Sequence, residues 1–509
     1  MPLPNYMTIH HPDTKIIETE ISGRGLYTTK DLTPGSLVLS EPPLTHTLKY
    51  QHAKNYCDVC LTPTKKICKG CNKFCYCCVA CQKLAWKNYH KIECKLLKKE
   101  NLNFTKMVEG LQITDKDLNL LDWIIFLGRI IIRYNDDTDP NYKSSVDNLC
   151  SNYQDLSAEG QEHCFRVSQV FMRYFGEKNF KTFCNNFTAK TMLNLISRLK
   201  CNMFVTTNED MSILDKCLAL YPNVANLNHS CLPNTHLVFY DNGQLSLKLN
   251  GHVKSGEEIC ISYCDVRQPA YHRKKALKSA YSFDCDCQKC NLDRTNKNNN
   301  SHISGEFTVT ENIGISFREK FDEGDFSEAE NCAKFLDRRL LDTSNNITIS
   351  LCEYVFDYYL KKARQEELKL ENEPPSGTES INHSSQEDEG FDPLESRIIE
   401  IDEEAEAKKL EAQQILKLEN EPDTLYKKAL IYGLQAVKGG NENDFTNLMH
   451  GITTFKVSKL LCYMKNFENS KIFLKNCIDI LEEGYDEKFG SRVLKDVGLL
   501  RREIEAFGE

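Results

Sequence analysis

A run of cysteines with one histidine, between residues 57 and 94, has the strongest chemical pattern in this sequence. Its spacings are C-x2-C, C-x2-C, C-x3-C and H-x3-C, and the candidate ligands are Cys57, Cys60, Cys68, Cys71, Cys77, Cys81, His90 and Cys94. Eight sulfur and nitrogen ligands complete two tetrahedral zinc ions with no position left open, which is typical of structural sites. The x3 spacings suit a helix, in which residues i and i+4 share a face. Two surplus thiols, Cys75 and Cys78, could each replace a neighbour as ligand.

Three more cysteines, Cys285, Cys287 and Cys290, form a second cluster that lacks a fourth ligand. The chain has 24 cysteines in all, and its N-terminal segment has no apolar core typical of a secretory signal. Thiols clustered at these spacings suit zinc better than a disulfide. The sequence therefore predicts an intracellular protein in a reducing compartment.

Two polar stretches could do chemistry of another kind. Residues 227–234 (LNHSCLPN) combine an amide, an imidazole, a thiol and a proline turn, and residues 256–265 (GEEICISYCD) contain a predicted strand that ends at Tyr263. Taken alone, the first stretch is equally well explained as a polar turn between buried strands. A lone tyrosine in such a strand usually belongs to the core.

With residues 283–290 (FDCDCQKC), these stretches resemble the signature of SET-domain protein lysine methyltransferases. The cysteine pattern from 57 to 94 resembles a MYND finger, so most of the chain is similar to the SET-and-MYND (SMYD) family. The resemblance implies an α+β fold: a split, β-rich SET domain with an inserted MYND zinc finger and a helical insert, a post-SET zinc site, and an all-α, tetratricopeptide-like C-terminal domain. It also implies S-adenosylmethionine as the methyl donor and three zinc ions.

The resemblance assigns the zinc ligands to three sets. The first set is Cys57, Cys60, Cys77 and Cys81, and the second is Cys68, Cys71, His90 and Cys94. For the third, the family pattern supplies Cys231 as the missing partner of Cys285, Cys287 and Cys290.

The resemblance also implies roles around the methyl transfer. Tyr263 matches the catalytic tyrosine, whose hydroxyl would orient the amine and the methyl group. The residues expected to bind the cofactor are Gly23, Arg24, Gly25, Asn202, Asn228, His229, Tyr263 and Phe283. Phe204 and Tyr281 are expected to form the aromatic channel for the lysine. His229 as a general base is the less favoured alternative to a positional role.

The elements that must hold these residues can be read from the periodicity. Residues 14–45 alternate as short strands do, and residues 236–240 and 245–249 predict a hairpin across Asp241-Asn242-Gly243. Residues 118–134, 167–175 and 188–199 have apolar positions at helical spacing. We assign the SET N-terminal part to 1–48, the MYND finger to 49–100, the helical insert to 101–200, the core SET to 201–265 and the post-SET segment to 266–292.

The remaining residues, 305–509, predict the C-terminal helical domain. The expected helices cover 317–341, 349–362, 425–437, 448–464, 470–483 and 488–507. An acidic insert over about 371–406 has the composition of a disordered or loosely helical segment. Tetratricopeptide-like pairs and a generic helical bundle both fit this pattern.

Charge and partners complete the expectations. The net charge is −9, and no apolar run approaches the ~20 residues of a membrane span. We expect a monomer without membrane contact, in nucleus and cytoplasm, acting on a lysine of a histone or non-histone protein. The lysine-rich finger suggests weak nucleic-acid binding as one use and, by the resemblance, proline-containing peptides as another. The alternative function is a catalytically weak zinc-finger scaffold, or transcriptional co-regulator, that recruits protein partners.

Overall fold

The computed structural model describes residues 8–19, 23–98, 120–135, 139–185, 187–211, 216–266, 268, 270–297, 346–372, 422–442 and 448–507. Contacts divide the chain into two compact units. One unit combines Met1–Ile313 with Gly440–Glu509, and the other is Gly314–Gly439. All of the candidate site residues lie in the first unit.

Among the described residues of the first unit, the strands form three small antiparallel sheets. Their strands are β1 (Ile9–His10), β2 (Thr14–Thr19), β3 (Gly23–Thr28), β4 (Leu37–Glu41), β5 (Thr45–Leu48), β6 (Met203–Thr206), β7 (Cys217–Leu220), β8 (Thr235–Phe239), β9 (Leu245–Leu249) and β10 (Glu258–Ile259). The strand orders are β1-β4-β9-β8, β10-β3-β2 and β5-β7-β6. Each sheet therefore joins strands from before and after the finger and the helical insert, so the β-rich part is split in sequence but continuous in space.

The predicted hairpin is confirmed as β8 and β9. Thr235 pairs with Leu249 and Phe239 with Leu245, and Gly243 in the turn has a φ of +87°, which favours glycine. Because β9 lies between β4 and β8, all five of its residues are buried. The apolar side chains of this sheet and of β3 form one core that Tyr263 and Phe204 border.

The finger ends in a continuous helical stretch. It consists of α1 (Val79–Ala85), a π turn (Trp86–His90) and α2 (Lys91–Lys98). The π turn ends at His90. Such turns within α-helices are frequently found at functional sites.

Between α2 and β6, the described residues of the insert form five α-helices. They are α3 (Leu120–Tyr134), α4 (Pro140–Asp147), α5 (Ala158–Phe175), α6 (Glu177–Phe183) and α7 (Ala189–Asn202). The buried side chains of α3, α5 and α7 share one core with the finger cysteines. The three helical stretches predicted here are confirmed, and α7 ends at Asn202, immediately before β6.

After the sheets come α8 (Ala270–Tyr281), α9 (Gln288–Lys297), α10 (Asn346–Asn372), α11 (Pro422–Glu442), α12 (Leu448–Tyr463), α13 (Phe467–Gly484) and α14 (Arg492–Phe507). Five of the six predicted C-terminal helices match α10 to α14, whereas the expected helix at 317–341 lies outside the described residues. The acidic insert lies outside them from residue 373 onwards. No helix in the described ranges is long and apolar enough to cross a bilayer.

Helices α12, α13 and α14 pack on one another and share a core with Val238 and Tyr240 of the β8 hairpin. The other unit contains α10, where the ring of Tyr359 stacks on Tyr432 of α11 at 5.9 Å. Residues 305–439 and 440–509 thus fall largely in different units. The domain boundaries and the tetratricopeptide-like arrangement stay predictions.

Candidate functional site

The first finger ligand set comes together in the structure. Cys57, Cys60, Cys77 and Cys81 place their sulfur atoms within 4.8 Å of one another. Cys60 lies 3.4 Å from Cys77 and 3.9 Å from Cys81. Four thiolates about 2.3 Å from a tetrahedral zinc lie about 3.8 Å apart, while a disulfide needs about 2.05 Å. The donor set therefore fits zinc.

The second set, Cys68, Cys71, His90 and Cys94, is fully buried and equally compact. The sulfur of Cys71 lies 3.8 Å from His90 Nε2, and Cys68 lies 4.0 Å from Cys94. His90 Nδ1 faces Glu93 Oε2 at 2.7 Å. A carboxylate on the second ring nitrogen fixes the tautomer and orientation that a metal-binding histidine needs.

Glu93 belongs to a buried ionic network that reaches the helical insert. Arg129 of α3 donates from Nε to Glu93 Oε1 at 2.6 Å and, through both terminal nitrogens, to Asp58 at 3.0 and 2.9 Å. Its guanidinium lies between the rings of Phe74 and Tyr89, 4.8 and 4.2 Å from their centroids. The finger is thus tied to the insert by a charged side chain that is 1% exposed.

The third set joins Cys231 to Cys285, Cys287 and Cys290. Cys231 and Cys290 are 3.6 Å apart. Arg273 of α8 is buried and donates to Cys231 from Nε at 3.4 Å and to Cys290 at 3.8 Å. Four thiolates around a divalent ion carry a net negative charge, which this guanidinium offsets.

An aromatic group surrounds Tyr263. Its ring centroid lies 4.6 Å from Tyr281, 5.4 Å from His229 and 6.4 Å from Phe283. The hydroxyl of Tyr263 donates to the Leu227 carbonyl at 2.6 Å, and its N–H donates to His229 Nδ1 at 2.9 Å. The 227–234 stretch therefore fixes both the backbone and the side chain of Tyr263.

Asn228 positions the glycine turn of β3. Its amide donates to the Arg24 carbonyl at 3.0 Å and to Glu258 Oε1 at 2.8 Å. A Cβ on Gly25 would lie 2.2 Å from the same carboxylate oxygen. Gly25 is therefore required by close packing against Glu258, whereas a Cβ on Gly23 would meet nothing within 4 Å.

Two other predicted cofactor residues meet at the loop after α4. Arg24 donates to the Asn148 carbonyl at 2.7 Å and to the Cys150 sulfur at 3.3 Å. Asn202 is buried and donates to the Cys150 carbonyl at 2.8 Å. The loop thus links the glycine turn to the end of α7.

The ring of Phe204, a residue expected in the lysine channel, packs against Tyr221 with the centroids 5.7 Å apart. It borders the same core as Tyr263. Its role in the channel, like the other assigned roles, stays a prediction.

Comparison with known proteins identifies similar domains and chains. The SET domain model matches residues 23–264. The chain is 30% identical over 273 residues to Histone-lysine N-methyltransferase SMYD3 of Homo sapiens, which covers 53% of this chain and 59% of that protein. It is 30% identical over 273 residues to N-lysine methyltransferase SMYD2-B of Xenopus laevis, covering 53% and 58%. The chain therefore contains a SET domain at residues 23–264 and is similar to SMYD lysine methyltransferases over 53% of its length.

The match to these SMYD proteins spans less than two thirds of their length. Among solved structures, the chain is similar to the SET domain of LSMT bound to Lysine and AdoHcy, with 13% identity, a TM-score of 0.34, and 72% and 82% of the two chains covered. That likeness is too weak to support an argument about the site.

Electrostatics around Tyr263 favour neutral groups. Burial raises the pKa of Tyr263 and raises that of Tyr281 to about 12, so both phenols keep their protons at neutral pH. Burial, helped by the Arg273 charge, lowers the pKa of His229 to about 4. Because its Nδ1 accepts the Tyr263 N–H, the neutral ring carries its proton on Nε2.

One polar atom at this site lacks a partner. Ser282 lies between Tyr281 and Phe283 with a φ of +64°, a strained value for a non-glycine residue. Its Oγ is buried and makes no hydrogen bond. A buried hydroxyl without a partner is free to form a hydrogen bond with a bound group, and the aromatic rings around Tyr263 suit a cationic ligand. The residues therefore fit S-adenosylmethionine, which is a sulfonium.

The contributors to these sites that were missed at the sequence level include Arg129, Arg273, Ser282 and Cys264. Cys264 forms a further group with His229 and Cys231, with the ligand atoms within 4.8 Å of one another. Arg129 had a visible signal, since it interrupts the apolar run LLDWIIFLGRIIIRY. The other three had none, because their neighbours come from distant segments.

Proposed function

We propose that this protein is a protein-lysine N-methyltransferase that transfers a methyl group from S-adenosylmethionine to a lysine side chain of a protein. The observation that supports this most is the position of Tyr263. Its hydroxyl and backbone are both held by the 227–234 stretch, and three rings surround it. The SMYD relatives are named as lysine methyltransferases.

Methyl transfer to an amine is a displacement at carbon, so the amine must be neutral and in line with the departing sulfur. When bound, S-adenosylmethionine supplies the electrophilic methyl group. A free lysine has a pKa of about 10.4. Surroundings that exclude water and hold no anion lower that pKa, and the protonated phenols of Tyr263 and Tyr281 provide them.

His229 acts in this scheme as a positioning group. Its Nδ1 is engaged by the Tyr263 N–H at 2.9 Å, and its Nε2 faces Cys231 at 3.2 Å. With both ring nitrogens used, it is not available to take the proton of the lysine. Alignment of the two substrates accounts for much of the remaining rate.

Replacement of Tyr263 by Phe tests the proposal. The wild type should bind S-adenosylmethionine in a calorimeter and methylate proteins of a cell extract. Tyr263→Phe should keep the fold and the bound metal while the methylation rate falls, by about 10²-fold for a lost orienting group. A zinc-loaded wild type that binds no S-adenosylmethionine would refute the enzyme. An unchanged rate in the variant would remove Tyr263 from catalysis and favour a scaffold in which this hydroxyl has no role.

The metals and partners belong to the same proposal. We propose that the three ligand sets each bind one zinc, which elemental analysis of the purified protein should show as three ions per chain. The finger sets, in a MYND-type module, would present a surface for proline-containing peptides. We also propose a nuclear and cytoplasmic location, which imaging of the tagged protein tests, and a histone or non-histone substrate, which mass spectrometry of methylated lysines tests.

A further inference from the structure

The post-SET cluster contains one thiol more than a tetrahedral metal uses. Cys231 belongs both to the set with Cys285, Cys287 and Cys290 and to the group with His229 and Cys264. The sulfur of Cys264 therefore lies within 4.8 Å of the sulfur of a metal ligand. It is partly exposed, whereas Cys231 is buried.

The backbone sets these two cysteines side by side. His229 and Ile261 form a parallel bridge, and the Ser230 N–H donates to the Ile261 carbonyl at 2.9 Å. The segments after His229 and Ile261 run in the same direction, so Cys264 lies next to Cys231. A hydroxyl contact from Ser262 to the Cys264 carbonyl at 2.6 Å holds the turn.

A second metal ion in the His229 group is the less favoured use of this thiol. The ring of His229 accepts the Tyr263 N–H at Nδ1, so its Nε2 carries hydrogen and donates toward Cys231 at 3.2 Å. A nitrogen that donates a hydrogen bond has no lone pair for a metal. Cys264 is thus left without a ligand role beside a thiolate that has one.

We propose that Cys231 and Cys264 form a disulfide when the protein meets a two-electron oxidant such as hydrogen peroxide, and that this bond releases the post-SET metal. In the first step one thiolate sulfur attacks a peroxide oxygen, the O–O bond breaks, and a sulfenic acid and hydroxide form. In the second step the other sulfur displaces the sulfenic hydroxyl and the S–S bond forms. In sum, two thiols lose two electrons and two protons, and one peroxide becomes two waters.

Loss of Cys231 leaves the metal with three ligands from residues 285–290. These residues directly follow Phe283, whose ring lies 5.9 Å from His229 and 6.4 Å from Tyr263. Release of the metal therefore removes the restraint on residues 283–290, which include Phe283 of the aromatic group around Tyr263. This consequence rests on the proposed function: oxidation would weaken binding of S-adenosylmethionine. The disulfide and the metal release do not depend on it.

The test uses the full-length, zinc-loaded protein treated with hydrogen peroxide. Released zinc is followed with a chromogenic chelator, and a digest without reductant is mapped by mass spectrometry. We expect a linked peptide that joins Cys231 to Cys264, zinc release that accompanies its formation, and loss of the link on addition of dithiothreitol. The absence of that linked peptide while zinc is released would overturn the proposal.

Two variants separate this pair from general thiol oxidation. Cys264→Ala keeps all four proposed ligands, so it should bind zinc as the wild type does. Because it cannot form the Cys231–Cys264 disulfide, it should retain that zinc when hydrogen peroxide is added. Cys260→Ala removes a thiol four residues earlier in the same segment and should behave as the wild type. Equal release from Cys264→Ala and the wild type would refute the proposal. Neither readout involves methylation, so failure of the enzyme assay leaves this result interpretable.

Discussion

Replacement of Arg129 by Met should loosen both the finger and the insert helix α3. The guanidinium is 1% exposed and makes hydrogen bonds to Glu93, Asp58 and the His46 carbonyl. Burial alone would lower the pKa of Arg129, but the Asp58 and Glu93 charges raise it well above its usual value, so the side chain is a cation. Met fills a similar volume without any donor.

The magnitude follows from the two carboxylates left behind. Removing one partner of a buried ion pair costs roughly 3–5 kcal/mol, because the other charge stays buried without compensation. Arg129 compensates both Asp58 and Glu93, which are 0% and 2% exposed. We therefore expect about 5 kcal/mol. Because Glu93 also orients His90, the second finger set should bind zinc about 10–100-fold more weakly.

Hydrogen exchange of the zinc-loaded full chain measures the first effect, through the protection of α3 and of residues 57–94. A competitive zinc titration measures the second. Arg133→Met, one turn later on the same helix, is the matched control. Its side chain is 22% exposed, pairs with the 47%-exposed Asp139 at 3.6 Å and donates to the Leu44 carbonyl and to Thr45 Oγ1. Its loss leaves no buried carboxylate without a partner and should cost about 1–2 kcal/mol.

Two results would refute this reasoning. One is a loss of protection in Arg129→Met no larger than in Arg133→Met. The other concerns a triple variant with Asp58→Asn and Glu93→Gln added. Removing all three charges should recover part of the lost stability, since no charge then stays buried alone. If the triple variant is less stable than the single one, uncompensated charge is not the cause.

Three further predictions concern single positions. Gly25→Ala would place a Cβ 2.2 Å from Glu258 Oε1, so thermal unfolding should show a loss of about 1–3 kcal/mol; an unchanged melting temperature would contradict the packing. The Glu209 carboxylate caps α14, because it accepts hydrogen bonds from the first N–H groups of that helix. Glu209→Gln should therefore lower the hydrogen-exchange protection of α14 by about 1–2 kcal/mol. Protection equal to that of the wild type would argue against this cap. Burial, with the Lys248 charge, lowers the pKa of His236 to about 4. As the pH falls, His236 therefore takes up a proton in the unfolded chain before it does so in the folded protein. The free energy of unfolding should fall by up to about 3 kcal/mol between about pH 6.5 and about pH 4. His236→Asn should reduce the difference in melting temperature between pH 5 and pH 7.5, and an equal difference would exclude His236 as its source.

The features that depend on residues close together in the sequence could be predicted from it. The β8–β9 hairpin follows from alternation around an Asn-Gly turn. The eight candidate finger ligands follow from cysteine spacing and a helical His-x3-Cys pair, whereas their division into two sets was implied by the family pattern. Cys231 as a partner of residues 285–290 was suggested by the family pattern, because no spacing rule joins residues so far apart.

The missed parts depend on segments that meet only in the folded chain. Arg129 contacts Asp58 and Glu93, which are 71 and 36 residues away. In the sequence these acids look like ordinary surface residues of a charged finger. Burial of Glu209 and the approach of Cys264 to Cys231 likewise depend on tertiary contacts that periodicity does not encode.

Side chains of the β-rich part form hydrogen bonds with backbone groups at the ends of two C-terminal helices. Lys248 of β9 donates to the carbonyls of Glu483 and Tyr485 at the end of α13, at 2.8 and 2.7 Å. Glu209, in the loop after β6, accepts from Arg492 and Val493 at the start of α14. The partners are 235–237 and 283–284 residues apart. During synthesis, these two charged side chains therefore emerge long before the helices they bind, so α13 and α14 dock later than the strands that receive them.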